Sequence, residues 1–198
     1  MADTPSHSPL SHIKMAPAPQ KPASEAAKEL SLVDYGRVGF LYVMARSGQA
    51  EALADALGFP TAPNSTKQTS DGVAMTTAPG EWALIAGAAD VDSVFASLRE
   101  RLAGLGYVSD QSHSRVKFRI AGGNARALLV KGVPIDLHPR EFGAGHCAQT
   151  GYGDIGVLLH QVDDAPTFDL FCYSGFGETL WNRLQHDGLE YDVACHGA

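Results

Sequence analysis

The stretch SRVKFRIAGGNARALLVKGVPIDLHPREFGAGHCAQTGYGDIGVLLHQVDDAPTFDLFCY, residues 114–173, holds the densest run of structural signals in the chain. Val116, Phe118 and Ile120 alternate with Lys117 and Arg119. At the two-residue period of a strand this puts three apolar side chains on one face and two cations on the other, the pattern of a half-buried strand. Gly122 and Gly123 break it. Ala125, Leu128 and Leu129 follow at helical spacing and stop near Lys131 and Gly132, where a helix C-terminus favours a cation and a glycine. After a loop holding Pro134 and Pro139, residues 155–162 and 167–173 read as strands joined by the turn Asp163-Asp164-Ala165-Pro166. Residues 175–185 then place Phe176, Leu180, Trp181 and Leu184 on one helical face.

Working back toward the N-terminus, the same plan recurs. A strand over 38–44 and Gly48 precede a short helix with Ala50, Leu53, Ala54 and Leu57 on one face, ended by Gly58 and Pro60. Residues 61–79 hold at most one strand, near 72–76, and 82–86 read as a buried strand. Asp90 is placed to cap a helix whose Val91, Val94, Phe95, Leu98 and Leu102 share a face, and Gly104 and Gly106 end it. The expected class is α+β: two small split-βαβ lobes, 37–110 and 111–198, the second closing in a short C-terminal tail. Lobes of this size hold little core alone, so a shared core is expected. Residues 1–36 read as a flexible tail, because the segment up to about Leu30 is rich in Pro, Ser, Ala and His and has little apolar periodicity.

The strings GGNARALLVKG, PIDLHP, CAQT, DIGVLLH and FDLFCYSGFGETLWNRL, in this order and at these distances, resemble the gamma subunit of heterotetrameric sarcosine oxidase. SPLSH from Ser8 to His12, PNS from Pro63 to Ser65 and GEWALIAG from Gly80 to Gly87 extend the resemblance over nearly the whole chain. More distantly, the strand, glycine turn and helix resemble the folate-binding aminomethyltransferase-like fold of the glycine-cleavage T-protein, a likeness that carries no activity by itself.

Composition narrows the partners. With 198 residues and 44% hydrophobic content the chain can bury a core, and a net charge of −7 argues against nucleic acid or an anionic membrane surface as partner. Arg115, Lys117, Arg119, Arg126, Lys131 and Arg140 form a local basic stretch, read either as a solvated face or as contact with an acidic protein surface. Cys147, Cys172 and Cys195 are an odd number without CxxC spacing, so no disulfide framework is expected. The first thirty residues lack the apolar core of a signal peptide and no later run is long enough for a membrane helix, which leads to a cytoplasmic expectation.

Motifs that could carry chemistry fail on context. Gly151-Tyr152-Gly153-Asp154-Ile155-Gly156 fits GxGxxG, yet that loop must open a helix and here it leads into strand-like sequence; residues 143–148 fit GxGxxA and fail alike. His146-Cys147 and Cys195-His196 are adjacent pairs, and neighbours on a strand point to opposite faces. Asp110, Ser112 and His113 have the residue types of a triad but lie too close together to converge on one reacting atom. Asp136 and His138 share a side in extended backbone, with a catalytic pair and a pair that satisfies loop backbone as the two readings, the second the more ordinary. No residue here is assigned a catalytic, cofactor-binding or metal role.

What the resemblance implies is a non-catalytic gamma subunit that holds no cofactor and packs directly on the alpha subunit, meeting beta and delta through the complex. The complex so implied oxidises sarcosine to glycine with FAD, FMN and NAD on the alpha and beta subunits, zinc on a different small subunit, and tetrahydrofolate taking the one-carbon unit. The alternatives are the gamma-type subunit of a related N-methyl amino acid dehydrogenase and a stand-alone folate-binding protein. The sequence assigns no position to the carboxylate that a folate-binding domain turns toward its ligand. Ser8, Leu10 and His12 of the SPLSH segment, with Leu137, His138 and Phe142 of the long loop 134–150, are expected at the partner interface, since two prolines lower the cost of ordering that loop.

Overall fold

The computed structural model describes Leu10, Ala16–Pro17 and residues 30–86 and 91–197. Ser8, His12 and the capping Asp90 lie outside the described residues. Two compact units emerge: one takes Val38–His113 with Gly145–Ala148, the other the chain up to Arg37 with Ser114–Ala144 and Gln149–Ala198.

The larger unit carries a sheet of seven strands. β1 (Ala16–Pro17) and β2 (Ser31–Gly36) come from the N-terminal side. The smaller unit follows with β3 (Phe40–Ala45), α1 (Ala50–Leu57), β4 (Thr66–Gln68), β5 (Gly72–Ala78), β6 (Glu81–Ala86), α2 (Val91–Arg101) and β7 (Gly106–Asp110). The chain then returns with β8 (Arg115–Ala121), α3 (Ala125–Leu129), β9 (Cys147–Tyr152), β10 (Ile155–Asp163), β11 (Thr167–Tyr173), α4 (Gly177–Gly188) and β12 (Ala194–Gly197). Sheet order is β1-β12-β2-β8-β11-β10-β9 in the larger unit and β4-β5-β6-β3-β7 in the smaller.

Periodicity explains most of these elements. In the smaller unit Leu53, Ala54 and Leu57 of α1 and Val94 and Leu98 of α2 pack with Leu41, Val43, Trp82 and Leu84 into one core. Gly58 ends α1 in the left-handed region at φ 67°, and the Phe59 N–H returns to the Ala54 carbonyl at 2.8 Å. In the larger unit Val116, Phe118 and Ile120 are buried as their alternation requires, with Phe118 tilted against Trp181 of α4 at 5.4 Å between centroids. Phe176, expected on the same helical face, instead precedes α4 and is 53% exposed.

Six described strands, β1, β2, β4, β7, β9 and β12, lie where sequence pattern reads as tail or loop. β2 lies inside the span expected as flexible tail, yet Leu32 is fully buried, because pairing with β8 and β12 supplies what its own six residues lack. β4 and β9 turn each expected strand pair into a three-stranded run, and β12 sits where a C-terminal tail was expected. Among the described residues no helix is long and apolar enough to cross a membrane.

Candidate functional site

The cations that sequence places on the outer face of β8 meet a carboxylate fifty residues away. Antiparallel register sets Arg119 opposite Asp169 of β11, and Asp169 opposite His160 of β10. Directly opposed residues share a face of the sheet, so the three form one row. Arg119 grips Asp169 in a fork, Nε to Oδ1 at 2.6 Å and Nη2 to Oδ2 at 2.8 Å, while Lys117 Nζ stands 3.8 Å from Oδ2. The Tyr35 ring lies 3.9 Å from Lys117 Nζ.

Much of this cluster is withdrawn from water: the side chains of Asp169, Lys117 and Arg119 are 8%, 13% and 29% accessible. Burial lowers the pKa of Lys117, with Asp169 pulling the other way; the hydrogen bond to Asp169 raises that of Arg119; burial lowers that of His160 and favours the neutral imidazole. Two cations thus face one carboxylate, and the carboxylate is committed to Arg119. Such a row locks strand register and is poorly suited to relaying protons. A solvated cationic face was one of the two readings of the basic stretch; Lys117 and Arg119 are instead half-buried and gathered on a buried carboxylate. Asp169 is the single charged residue in the apolar run of β11, and that lone acid was the signal the sequence reading passed over.

Arg126 organises the loop expected at an interface. Its guanidinium donates to the carbonyls of Leu137 and, at 3.0 Å, Phe142, and to Gln161 Oε1 at 2.7 Å. Leu137 and Phe142 turn their side chains inward and are buried, whereas His138 is exposed. Asp136 Oδ1 accepts the His138 N–H at 2.8 Å and His138 Nδ1 accepts the Arg140 N–H at 3.2 Å, the backbone-satisfying arrangement. Leu10 of the SPLSH segment is buried. Asp110 Oδ1 accepts both the backbone N–H and the hydroxyl of Ser112, at 2.8 and 2.6 Å, and Ser112 Oγ in turn accepts the Phe40 N–H at 3.0 Å, so this group ties β7 to β3.

The GxGxxG string spans the end of β9, a turn with Gly153 at φ 57°, and the start of β10. A hairpin offers no helix N-terminus to a pyrophosphate, so these residues do not fit a dinucleotide. In the smaller unit a cleft of about 380 Å³ opens between the start of α1 and residues 61–64, with Glu51, Pro63, Asn64, Thr77, Pro79 and Trp82 among its lining. The Thr77 hydroxyl is buried there without a hydrogen-bond partner, while Trp82 Nε1 donates to the Pro60 carbonyl at 2.8 Å. Cys147 and Cys172 are buried and their thiols pushed up to about 12 by desolvation, the behaviour of packing groups. Among the described residues no three of His, Cys, Asp and Glu gather where a metal ion could sit.

Residues 44–190 match the model of the sarcosine oxidase gamma subunit family. The chain belongs to that family. Sarcosine oxidase subunit gamma of Corynebacterium sp. (strain U-96) is 32% identical over 162 residues, 79% of this chain and 78% of that one. A chain of the heterotetrameric sarcosine oxidase from Corynebacterium sp. U-96, solved with pyrrole 2-carboxylate, aligns with a TM-score of 0.77 at 25% identity over 95% of this chain and 97% of its own length. Aminomethyltransferase T of the glycine cleavage system from Bartonella henselae shares the fold, with a TM-score of 0.63 at 16% identity over 85% of this chain and 48% of that one. In this gamma-family chain the strings that carry the resemblance fall on structural positions: CAQT is most of β9, FDLFCY holds Asp169, and PNS and GEWALIAG contribute Pro63, Asn64, Gly80 and Trp82 to the cleft.

Proposed function

We propose that this chain works as a non-catalytic gamma subunit of a cytoplasmic heterotetrameric sarcosine oxidase. It packs on the alpha subunit and supports an assembly that converts sarcosine to glycine and hands the one-carbon unit to tetrahydrofolate. The observation that carries the reading is the end-to-end match to one chain of such a heterotetramer, over 95% of this chain and 97% of the other. Internal geometry supports it: the buried carboxylate is held by Arg119, and the glycine string turns a hairpin. FAD, FMN, NAD and zinc belong, on this reading, to the other subunits. Of the three loop residues expected at the interface His138 is the exposed one, and on this reading it is offered to the partner.

The experiment is purification of the chain alone, with its visible spectrum and a calorimetric titration with tetrahydrofolate, followed by its omission from co-expression with the other three subunits. The expected results are no flavin absorbance, no folate heat, and an assembly that fails before its chemistry does. Bound flavin, micromolar folate affinity, or normal assembly without this chain would each overturn the reading.

A further inference from the structure

The five-stranded sheet ends on β7, and no strand among the described residues pairs with its far side. Register fixes which backbone groups face outward there. Arg46 N–H donates to Leu105 carbonyl and Gln111 N–H to Phe40 carbonyl, both at 2.8 Å, one at each end of the β3–β7 ladder. These set its phase: Tyr107 and Ser109 exchange hydrogen bonds with Met44 and Tyr42, and the peptide groups of Val108 and Asp110 point away from β3.

Side chains flank that edge on both faces. Tyr107 and Met44 oppose each other across the ladder and are 54% and 42% exposed. On the other face Leu105 and Val108 are only partly buried against the core. The opposite edge is managed differently: β4 has three residues with an exposed Lys67, and Thr66 and Asn64 are bonded to Gly145 and Cys147 at 2.8 Å. The larger sheet shows what stands in the corresponding place. There β2 lies beside β8 as β7 lies beside β3, and beyond β2 come β12 and β1, two further extended segments.

We propose that an extended segment of a partner subunit adds to β7 as a sixth strand. Its backbone pairs with Val108 and Asp110, and its side chains alternate between an apolar residue against Tyr107 and one that completes the burial of Val108. This rests on the reading of the chain as one subunit of a heterotetramer.

The test uses the full chain co-expressed with the other three subunits. Val108→Pro removes an N–H that faces away from β3, so the β3–β7 ladder keeps its bonds; Tyr107→Lys changes an exposed side chain. Both variants are expected to keep the circular dichroism of the parent and to lose about tenfold or more of their recovery in the complex. Hydrogen exchange of the unmodified protein should show the amides of Val108 and Asp110 slowing about tenfold or more on assembly. Assembly of the unmodified chain together with undiminished recovery of both variants overturns the sixth strand and leaves the subunit reading standing. Unchanged exchange at β7 in an intact complex, which needs no variant to fold, overturns it as well. Failure of the unmodified chain to assemble sinks the subunit reading and the sixth strand together. A dimer of the isolated chain that Val108→Pro dissolves would assign the edge to a second copy and overturn the claim for a partner subunit.

Discussion

The two units run one plan to different ends. Each goes strand, short helix, three antiparallel strands, longer helix, strand: β3 to β7 in the smaller unit and β8 to β12 in the larger. In the smaller, the last strand returns beside the first and remains an edge; in the larger, β2 has taken that place and β12 is displaced one position outward, parallel to β2. The sheets also differ in chemistry. One carries the Arg119–Asp169–His160 row with Lys117 beside it, while the core of the other is built from Leu41, Val43, Trp82 and Leu84 against two helices. The same strand order therefore does not dictate how a sheet is held: one register is pinned by paired charges, the other by apolar packing.

The largest effect that should separate the units is loss of Asp169. Asp169→Ala leaves two half-buried cations uncompensated and should cost about 3 kcal/mol in urea denaturation, whereas replacing Lys117, Arg119 and Asp169 together by Met, Met and Leu should recover most of it. A cost below about 1 kcal/mol for the single change would show that charge does not hold this sheet.

Backbone approach gives a second contrast. A Cβ on Gly72, at φ 139°, would lie 2.0 Å from the Ile85 carbonyl oxygen, while one on Gly132 would lie 2.7 Å from the Tyr152 ring, whose hydroxyl donates to Asp187 Oδ2 at 2.9 Å. Gly72→Ala should cost about 3 kcal/mol, because rigid backbone must move and φ is strained; Gly132→Ala should cost about 1–2 kcal/mol, because a side chain can yield. Equal losses in thermal melts would contradict the distinction.

His160 adds a smaller, pH-dependent difference. Burial lowers its folded pKa below the ordinary 6.5, so the unfolded chain takes up the proton first as pH falls. Its contribution is unchanged above about pH 6.5 and declines below it, and His160→Gln should flatten that acid limb of the stability profile. An identical slope in parent and variant would remove His160 from the account.

The smallest effect is read by thiol labelling at pH 8. Cys195 is partly exposed and should react first, while Cys147 of the smaller unit and Cys172 of the larger, both pushed up to about 12, should wait for local opening. In a Cys195→Ser background the two slow rates report the opening of each unit separately. Labelling of either buried thiol as fast as free cysteine would contradict their burial.

Much of the fold was legible because apolar spacing is a local property. The alternation in 116–120 and the helical spacing of Ala50, Leu53, Ala54 and Leu57 and of Leu180, Trp181 and Leu184 appear as β8, α1 and α4. The strands that escaped were β1, β2, β4, β7, β9 and β12, which are short or carry glycine and polar residues and take their order from neighbours in the ladder. The charge row escaped for a related reason: Lys117 and Arg119 read as solvated until Asp169 is known to stand opposite, and nothing in the spacing of 117, 119, 160 and 169 announces that pairing.

By itself the sequence determined the α+β class, the doubled strand-helix plan and the resemblance to the sarcosine oxidase gamma subunit family, because these rest on local periodicity and on the order of short strings. Only the tertiary structure decided which strands are neighbours, and with them the burial of Asp169, the inward turn of Leu137 and Phe142, and the edge position of β7 among the described residues. Strand pairing joins residues far apart in the chain through backbone groups that every residue possesses, so the partner of a given strand is not written in its own side chains.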